Sequence, residues 1–331
     1  MAGNKSLTAA NKAKEDEFYT ELSDIENELK HYKEHFKGKT VLCNCDDPRI
    51  SNFFHYFSYN FEQLGLKKLI TTCYKNQERD LFSKNDSERA IWLEYTGDRN
   101  GNRVPDPEEI GINYLKGDGD FRSEECIELL KQADIVVTNP PFSLFREYVA
   151  QLIKYEKKFV IIGNQNNTSY KDIFTYIKDN QLWLGSTLSC AKFKVPDYYE
   201  PRATRFWVDE SGQKWRSMGN ICWFTNLDIA KRHEKIILYK SYNPDEYPTF
   251  DNYNAINVNK VAEIPKDYDG VMGVPLTFLD KYNPEQFEIL NCNDYRKSEK
   301  VPLKAHGLIK DKDGAINGKP KYVRILIRRK K

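Results

Sequence analysis

The sequence contains no uninterrupted apolar run of the roughly 18 residues needed to span a membrane as a helix. Its first residues, 1–14, are polar and include no apolar stretch of the signal-peptide type. Low-complexity tracts and internal repeats are also missing. We therefore expect a cytoplasmic protein that makes no membrane contact.

Cysteine is present, but without the spacing of a metal site or a disulfide framework. The chain has seven cysteines and five histidines; Cys43 and Cys45 are separated by one residue, and no pair has CxxC spacing. An odd number of cysteines without a framework indicates reduced and mostly buried thiols. We expect no bound metal.

An excess of charge of one sign is also lacking, because 51 Lys and Arg face 49 Asp and Glu, a net charge of +2. Many nucleic-acid binders are more basic, so the net charge by itself gives little support to that class. Positive charge is concentrated at the C-terminal end, at Arg324, Arg328, Arg329, Lys330 and Lys331. This cluster fits a nucleic-acid contact and a solvated tail equally well.

The 331 residues, 40% of them hydrophobic, are enough for one large core and a smaller second domain. Short apolar runs predict buried strands, and amphipathic segments between them predict helices. The predicted strands are 40–43, 68–72, 134–138 and 159–162; the predicted helices are 24–36, 50–62, one capped by Ser123, and 143–157. This alternation is typical of a parallel α/β sheet.

Two regions depart from this rhythm. Residues 75–112 are polar, and we expect an excursion with some hairpin content there. Beyond about residue 180, short aromatic strands are predicted at 182–184 and 221–224. The alternation of Val323, Ile325 and Ile327 after two turn signals predicts a C-terminal hairpin. The second half therefore mixes strands of the sheet edge with long loops.

The segment from Asp134 to Phe142 carries the clearest chemical signal. An apolar strand runs directly into Asn139-Pro140-Pro141-Phe142, and a predicted helix follows. In an open parallel sheet, ligands bind beyond the carboxyl ends of the strands, near the point where the strand order reverses. The same four residues could form an ordinary turn, but their place between a strand and a helix favours a catalytic loop.

Each of the four residues suits attack by a ring-bound amino group on a methyl sulfonium. The lone pair of such an amine is delocalised into the ring, so it is a poor nucleophile. The side-chain oxygen of Asn139 and the carbonyl of Pro140 can accept its two N–H groups and favour a tetrahedral nitrogen. The prolines fix the backbone before the substrate arrives, and Phe142 offers a face on which a planar ring can stack.

This motif and several others together resemble the EcoRI-type adenine-specific DNA methyltransferases over nearly the whole chain. The matching stretches, in order, are Asp16 to Thr20, Cys43 to Arg49, Gly117 to Arg122, Ile135 to Tyr148, Gly270 to Pro275 and Tyr282 to Phe287. The resemblance implies a Rossmann-like class I S-adenosylmethionine-dependent methyltransferase sheet with a C-terminal target-recognition region. It assigns 1–180 to the cofactor-binding and catalytic core, and 181–331 to the remaining strands and target recognition.

The resemblance also implies roles for the cofactor-binding residues. Phe18, Tyr19 and Thr20 would line the methionine end of S-adenosylmethionine, and Asn44, Asp46 and Asp47 would hold its amino-acid part. Asp120 would accept from the amino group of the cofactor's adenine, and Phe121 would pack on that ring. Asp46 and Asp47 could instead cap a helix, and Gly117 to Phe121 could form a simple turn. The sequence departs from the family pattern at two places: Asn44-Cys45-Asp46 replaces the usual Gly-x-Gly, and Thr71-Thr72-Cys73 lacks an acidic residue for the ribose.

As partner, the resemblance implies double-stranded DNA, from which the target adenine must flip to reach the pocket. It implies no obligatory protein partner; a cognate restriction endonuclease of the same system would be a separate protein. The loop from Arg202 to Arg216 mixes cations and aromatics as a recognition loop does, and also fits a solvated hairpin. The predicted DNA-binding residues are Arg202, Arg205, Lys214, Arg216 and Trp223, with Trp223 or Phe224 as a second stacking partner or as core.

Two other functions stay open from the residues. The Asn-Pro-Pro-aromatic loop also suits RNA adenines and the glutamine amides of proteins, whose nucleophilic nitrogens are likewise planar. A DNA-binding protein that has kept the scaffold without activity is the third interpretation; the intact motif at Asn139 to Phe142 argues against it.

Overall fold

The structure is a computed structural model, and it describes residues 19–45, 51–73, 90–102, 105, 109–187, 192–195, 199–251, 253–292, 315–320 and 323–331. The chain forms two compact units. The first consists of Met1–Gln165 and Gly185–Leu227, and the second of Asn166–Leu184 and Asp228–Lys331. Both units are thus discontinuous in sequence, whereas a single boundary near residue 180 was predicted.

The secondary structure alternates between strands and helices in the first half and is mostly strands in the second. The strands are β1 (Tyr19–Thr20), β2 (Thr40–Asn44), β3 (Lys68–Thr72), β4 (Ile91–Tyr95), β5 (Gly111–Tyr114), β6 (Ile135–Thr138), β7 (Lys158–Asn164), β8 (Trp183–Leu184), β9 (Phe193–Lys194), β10 (Phe206–Val208), β11 (Lys214–Arg216), β12 (Ile221–Thr225), β13 (Ile256–Asn257), β14 (Met272–Pro275), β15 (Phe287–Cys292), β16 (Ala315–Ile316), β17 (Lys319–Pro320) and β18 (Arg324–Arg329). The α-helices are α1 (Leu22–Leu29), α2 (Lys33–Phe36), α3 (Asn52–Tyr59), α4 (Phe61–Leu64), α5 (Glu124–Gln132), α6 (Phe145–Lys154) and α7 (Lys171–Lys178). Short 3₁₀ segments cover Phe142–Leu144, Gln165–Ser169, Ala230–His233, Val261–Glu263 and Leu276–Lys281.

The large sheet of the first unit runs in the order β5-β4-β3-β2-β6-β7-β12. Strands β3, β2, β6 and β7 are mutually parallel, while β4 and β12 are antiparallel to their neighbours. Every residue of β2 and of β6 is buried, as expected for parallel strands covered on both faces. This mixed sheet confirms the predicted Rossmann-like α/β fold. The antiparallel β4–β5 pair confirms the hairpin content predicted within 75–112, although β5 ends beyond it, at Tyr114.

The strand order reverses between β2 and β6. From β2 the chain moves outward to β3, then returns to place β6 on the other side of β2. The loops after β2 and β6 therefore diverge at the carboxyl edge, where parallel sheets leave a crevice for ligands. Asn44 and Asn139, the residues at the two strand ends, stand at this reversal point.

The predicted helix over 24–36 is instead two helices, α1 and α2, joined by a turn. The apolar residues spaced along one face of the segment, Ile25, Leu29, Tyr32 and Phe36, are all fully buried. The helix breaks at Tyr32, which leaves helical geometry with φ −119° and ψ 6°. Its hydroxyl donates to the buried Glu28, which gives the break a polar partner inside the core.

Helix starts follow the predicted chemistry. The Ser123 hydroxyl accepts the backbone N–H of Cys126 at the start of α5, with Glu124 and Glu125 in the first turn, so the predicted cap is confirmed. Ser51 caps α3 in the same way. These caps fix the helices that flank the ligand edge of the sheet.

A second, smaller sheet in the first unit has the order β1-β9-β11-β10, all antiparallel. It pairs Thr20 with Phe193, and Trp215 with Lys194. One sheet thus joins the N-terminal strand to the aromatic and basic hairpin formed by β10 and β11.

The second unit contains the sheet β13-β14-β18-β15. The predicted C-terminal hairpin is wrong in its pairing, because β18 is a central strand between β14 and β15. The Asn317-Gly318 turn is confirmed: both residues have positive φ, 52° and 70°, and connect β16 to β17. Arg324, Arg328 and Arg329 consequently lie in a sheet and not in a tail.

No helix in the described part of the chain is long and apolar enough to cross a membrane. Within the same residues, no group of three or more His, Cys, Asp or Glu side chains is arranged to hold a metal ion.

Candidate active site

The ends of β2 and β6 are tied together at the reversal point of the sheet. The Thr138 hydroxyl, at the end of β6, donates to the backbone carbonyl of Asn44, at the end of β2. Thr138 is 1% exposed, so this bond lies inside the core. The loop that begins at Asn139 therefore leaves the sheet from a fixed point.

The Asn139 amide is oriented by the N-terminal strand. Its Nδ2 donates to the Thr20 hydroxyl at 3.4 Å, and both side chains are buried. The carbonyl of Thr20 in turn accepts the side-chain amide of Asn52, at the start of α3, at 2.7 Å. Nδ2 is thus the amide atom directed to Thr20, and Oδ1, the acceptor atom, is the other end of the planar group.

The two prolines and Phe142 continue the loop into a helix. Pro140 is buried, and the carbonyl of Pro141 accepts the N–H of Leu144 to start the 3₁₀ turn. Phe142 is half-buried, and its ring meets Phe193 edge to face with centroids 6.4 Å apart. Phe193, in β9, was not predicted, since no motif surrounds it; it is fully buried and supports Phe142 from the side.

The turn after β2 has a left-handed backbone at Cys45, the conformation that the glycine of the usual Gly-x-Gly pattern would supply. Cys45 has φ 83°, a left-handed value that a side chain rarely adopts. The preceding Asn44 is 7% exposed, and its Oδ1 accepts the hydroxyl of the buried Tyr148. Asn44 would therefore meet a ligand through its amide nitrogen. The predicted cofactor residues Phe18, Asp46 and Asp47 lie outside the described residues.

Asp120 and Phe121 lie on a loop that is fastened at three points. The Glu125 carboxylate accepts the backbone N–H groups of Lys116 and Gly117 at 3.0 and 2.8 Å. Gly119, with φ 82°, passes so close to the end of β3 that an added Cβ would lie 2.2 Å from the carbonyl oxygen of Cys73. The Phe121 ring packs edge to face on Tyr148 at 5.0 Å. The loop is thus brought next to the β2 and β3 ends.

Arg122 controls the charge of Asp120. Its guanidinium binds both carboxylate oxygens, at 2.9 and 2.6 Å, and also reaches Glu147 on α6. The hydrogen bond from Arg122 lowers the pKa of Asp120, while partial burial acts in the opposite direction. Asp120 is therefore an ionised acceptor with 23% of its side chain exposed.

The predicted DNA-binding loop is an ordered hairpin. Arg202 and Arg205 are exposed, and Arg205 has a positive φ of 56°. Lys214 and Arg216 are half-buried, with Lys214 donating to the carbonyl of Tyr199 and Arg216 to that of Thr204. The structure thus separates two exposed cations from two that also stabilise the hairpin.

The hairpin is built around two stacked indoles. Trp207 and Trp215 are nearly parallel, 6° apart, with centroids at 6.2 Å. Trp215 is buried and donates its Nε1 to Asp209, and Lys192 lies over its ring at 4.8 Å. The hydrogen bond from the Ser211 hydroxyl, followed by that from the Trp215 indole, lowers the pKa of Asp209 to about 2. Trp207 remains 39% exposed at the edge of this stack.

Trp223 is a correction to the predicted DNA contacts. It lies in β12, is fully buried and packs edge to face on Phe53 at 6.1 Å. Phe224 is likewise fully buried, against Phe145 at 4.9 Å. Both are core residues, so neither is the second stacking partner. The sequence of a short aromatic strand is the same kind of pattern whether its rings face a ligand or pack under a helix, so the pattern could not distinguish the two.

Comparisons with known proteins agree with this geometry. Residues 6–330 match the profile of the family described as adenine-specific methyltransferase EcoRI. The chain is 50% identical to the type II methyltransferase M.EcoRI of Escherichia coli, over 100% of this chain and 98% of that protein. It is 43% identical to the type II methyltransferase M.MgeORF184P of Mycoplasma genitalium, and 40% to M.MpnI of Mycoplasma pneumoniae, each over 97% of both chains. No solved structure matches significantly.

Proposed function

The chain belongs to the family of the adenine-specific methyltransferase EcoRI, and from this membership we propose that it is a site-specific DNA methyltransferase. In this proposal it transfers the methyl group of S-adenosylmethionine to the N6 atom of a flipped adenine in duplex DNA, within a restriction-modification system. The observation that carries the proposal is the oriented amide of Asn139, at the carboxyl end of β6, with its Nδ2 on Thr20.

The proposed role of Asn139 follows from the chemistry of the exocyclic amine. When Oδ1 of Asn139 and the carbonyl of Pro140 accept the two N6 protons, the nitrogen becomes more tetrahedral and its lone pair is released from the ring. A new N–C bond then forms to the methyl group while the S–C bond breaks. Because charge develops on nitrogen as positive, fixed acceptor dipoles stabilise the transition state without a strong base. The extra N6 proton leaves to solvent afterwards.

The residues around the β2 and β3 ends fit the cofactor. Asp120 offers an ionised acceptor for an amino group, and Phe121 a buried ring beside it. The amide nitrogen of Asn44 suits the carboxylate of an amino acid, and the turn at Cys45 has the left-handed backbone that glycine usually supplies here. S-adenosylmethionine, when bound, supplies an electrophilic methyl group on a positively charged sulfur. Tyr19 and Thr20, with Phe18, would line its methionine end.

Base flipping is required because N6 is out of reach inside a duplex, and it costs a few kcal/mol. Half-buried Phe142, supported by Phe193, is positioned to stack on the flipped ring and offset part of that cost. Arg202, Arg205, Lys214 and Arg216 on the hairpin would contact the DNA around it. Trp207, the exposed indole of the stack, lies on the same hairpin.

The proposal is tested by measuring methyl transfer to three classes of acceptor. Purified protein is incubated with radiolabelled S-adenosylmethionine and duplex DNA, RNA or a protein extract, and methylated DNA is then sequenced on single molecules. We expect N6-methyladenine in one sequence context of the DNA, and none in the Asn139→Ala variant. Labelling of RNA or of protein glutamine instead, or cofactor binding with no transfer, would refute the proposal in favour of an alternative.

A further inference from the structure

Glu28 is a buried carboxylate that the proposed chemistry does not use. It lies at the end of α1 and has no exposed surface. Its Oε1 accepts the Tyr32 hydroxyl at 2.6 Å and the Ser186 N–H at 2.7 Å. Its Oε2 accepts both the N–H and the hydroxyl of Thr187, each at 2.6 Å. A carboxylate removed from water is costly unless it is hydrogen-bonded, and these four donors satisfy it.

Three of the donors come from a segment about 160 positions further along the chain. Gly185, which precedes them, has no room for a side chain, because an added Cβ would lie 2.3 Å from Oε1 of Glu28. The N–H of Gly185 also donates to the carbonyl of Trp223 in β12. The segment 185–187 is therefore held between Glu28 and the sheet.

The same two stretches of chain meet again at the active site. Strand β1 leads directly into α1, which carries Glu28, and the segment 185–187 precedes β9 in the sequence. β1 and β9 pair with each other, with Thr20 opposite Phe193. Thr20 orients Asn139, and Phe193 supports Phe142. The two stretches are thus fastened at one end by strand pairing and at the other by Glu28.

We propose that Glu28 is a positioning residue for methyl transfer. Its carboxylate fixes α1 to the segment 185–187, and through α1 and β1 it holds the Thr20 hydroxyl in register with the Asn139 loop and with Phe193, the partner of Thr20 in β9. The proposal rests on the proposed function of that loop. Burial and the adjacent carboxylate raise the pKa of Tyr32 well above its usual range, so Tyr32 remains a donor to Glu28.

The test uses Glu28→Gln, which keeps the shape of the side chain. One of the two carboxylate oxygens becomes an NH₂ group, so the donors that bound this oxygen now face another donor. We expect the single-turnover rate of methyl transfer, at saturating DNA and cofactor, to fall at least about tenfold. Because Thr20 is also proposed to line the methionine end of the cofactor, cofactor affinity is measured by calorimetry in the same variant, and the rate is taken at a cofactor concentration that saturates it. Tyr32→Phe removes one donor and keeps the 185–187 bonds, so its rate should remain close to wild type.

A matched control separates positioning from general loss of stability. Asn226 also binds buried backbone through both atoms of its amide, to Phe159 and Lys157, but at the amino end of β7, away from the ligand edge. Asn226→Ala should lower thermal stability and leave the single-turnover rate unchanged at a temperature where both variants are folded. A rate loss for Glu28→Gln no larger than that for Asn226→Ala would overturn the proposal.

The decisive measurement is a double-mutant cycle of methyl-transfer rates. Because Glu28 is proposed to act through Thr20, the rate effects of Glu28→Gln and Thr20→Val should be clearly less than additive in the double variant, whereas those of Asn226→Ala and Thr20→Val should add. Full additivity in the first pair would refute the proposal.

Hydrogen exchange measured by mass spectrometry tests the same proposal without any substrate. In Glu28→Gln, the amides of β1 and β9 should exchange faster, while those of β6 and β7 keep their wild-type rates. Unchanged exchange in β1 and β9 would contradict the positioning role. If the wild-type protein failed to methylate DNA, the proposed function would fall, and the exchange result would still decide the role of Glu28.

Discussion

The amide of Asn139 donates to the hydroxyl of Thr20 at 3.4 Å, across 119 positions of the chain. An amide that is turned the wrong way would present donors, and not an acceptor, to the amine of the substrate. Thr20 is thus a residue that holds the Asn139 amide by its nitrogen.

Replacing Thr20 should therefore affect catalysis more than binding. We expect Thr20→Val to slow single-turnover methyl transfer about five- to tenfold, the effect of one lost hydrogen bond of about 1 kcal/mol. Thr20→Ser keeps the hydroxyl and should stay within about twofold of wild type. Rapid-quench measurements on both variants check this, and equal rates for Val and Ser would contradict it.

Removing the amide itself should have a larger effect. Asn139→Ala is expected to reduce the transfer rate by about a hundredfold or more, as is common when a preorganised dipole is deleted from a transition state. Because Asn139 is proposed to touch the target base, cofactor affinity measured by calorimetry should change little. An Ala variant with nearly normal activity would show that Asn139 is not an acceptor.

The ion pair between Arg122 and Asp120 predicts a pH effect. Arg122 lowers the pKa of Asp120, so in the wild-type protein the charged carboxylate persists at neutral pH and is lost only as the pH falls through that lowered pKa. In Arg122→Gln, the pKa of Asp120 should rise, because the side-chain hydrogen bond and the charge of Arg122 are lost, while burial and the backbone N–H of residue 122 stay. Cofactor affinity, measured from pH 7 to pH 4, should therefore begin to fall at a higher pH in the variant than in the wild-type protein. Calorimetry over this range tests it, with Lys131→Gln as an exposed control.

Two glycines with nearly equal backbone angles provide a matched pair for stability. Gly119 has φ 82° and Gly101 has φ 81°, but an added Cβ meets nothing within 4 Å at Gly101 and lies 2.2 Å from the Cys73 carbonyl at Gly119. Gly101→Ala should cost about 1 kcal/mol, the strain of a left-handed residue. Gly119→Ala should cost at least about 2 kcal/mol more and weaken cofactor binding. Urea unfolding compares them, and equal losses would show that the loop relaxes.

The exposed cations of the hairpin should contribute to salt-dependent DNA binding. Arg202→Ala and Arg205→Ala are each expected to reduce the slope of log affinity against log salt by about 0.9, the effect of one lost phosphate contact. Arg216→Ala should also loosen the hairpin, because Arg216 donates to backbone carbonyls within it. Fluorescence anisotropy at several salt concentrations measures the slopes, and an unchanged slope would remove that arginine from the interface.

Buried strands and capped helices could be predicted from the sequence because their signals are local. A run such as 134–138 can be little other than a strand covered on both faces, and Ser123 followed by two glutamates caps a helix in almost any context. The place of Asn139 to Phe142 between a strand and a helix could also be predicted, since the four residues are contiguous; their catalytic role stays a prediction.

Pairings between distant segments could not be predicted in the same way. The alternation in β18 indicates a strand but not its neighbours, which turned out to be β14 and β15. The same holds for Thr20 and Asn139, and for Phe193 beside Phe142. Trp223 was misassigned because an aromatic residue in a short strand gives no sign of which element covers it.

The division of the chain has a consequence for how the protein is made. Strands β9 and β12 belong to the first unit, yet they are synthesised after the first segment of the second unit. A nascent chain that has emerged only to residue 180 lacks β9, whose Phe193 packs beside Phe142, and β12, the antiparallel neighbour of β7. The proposed catalytic site is therefore complete only after β12 has been synthesised, and a fragment that ends at residue 180 would lack part of it.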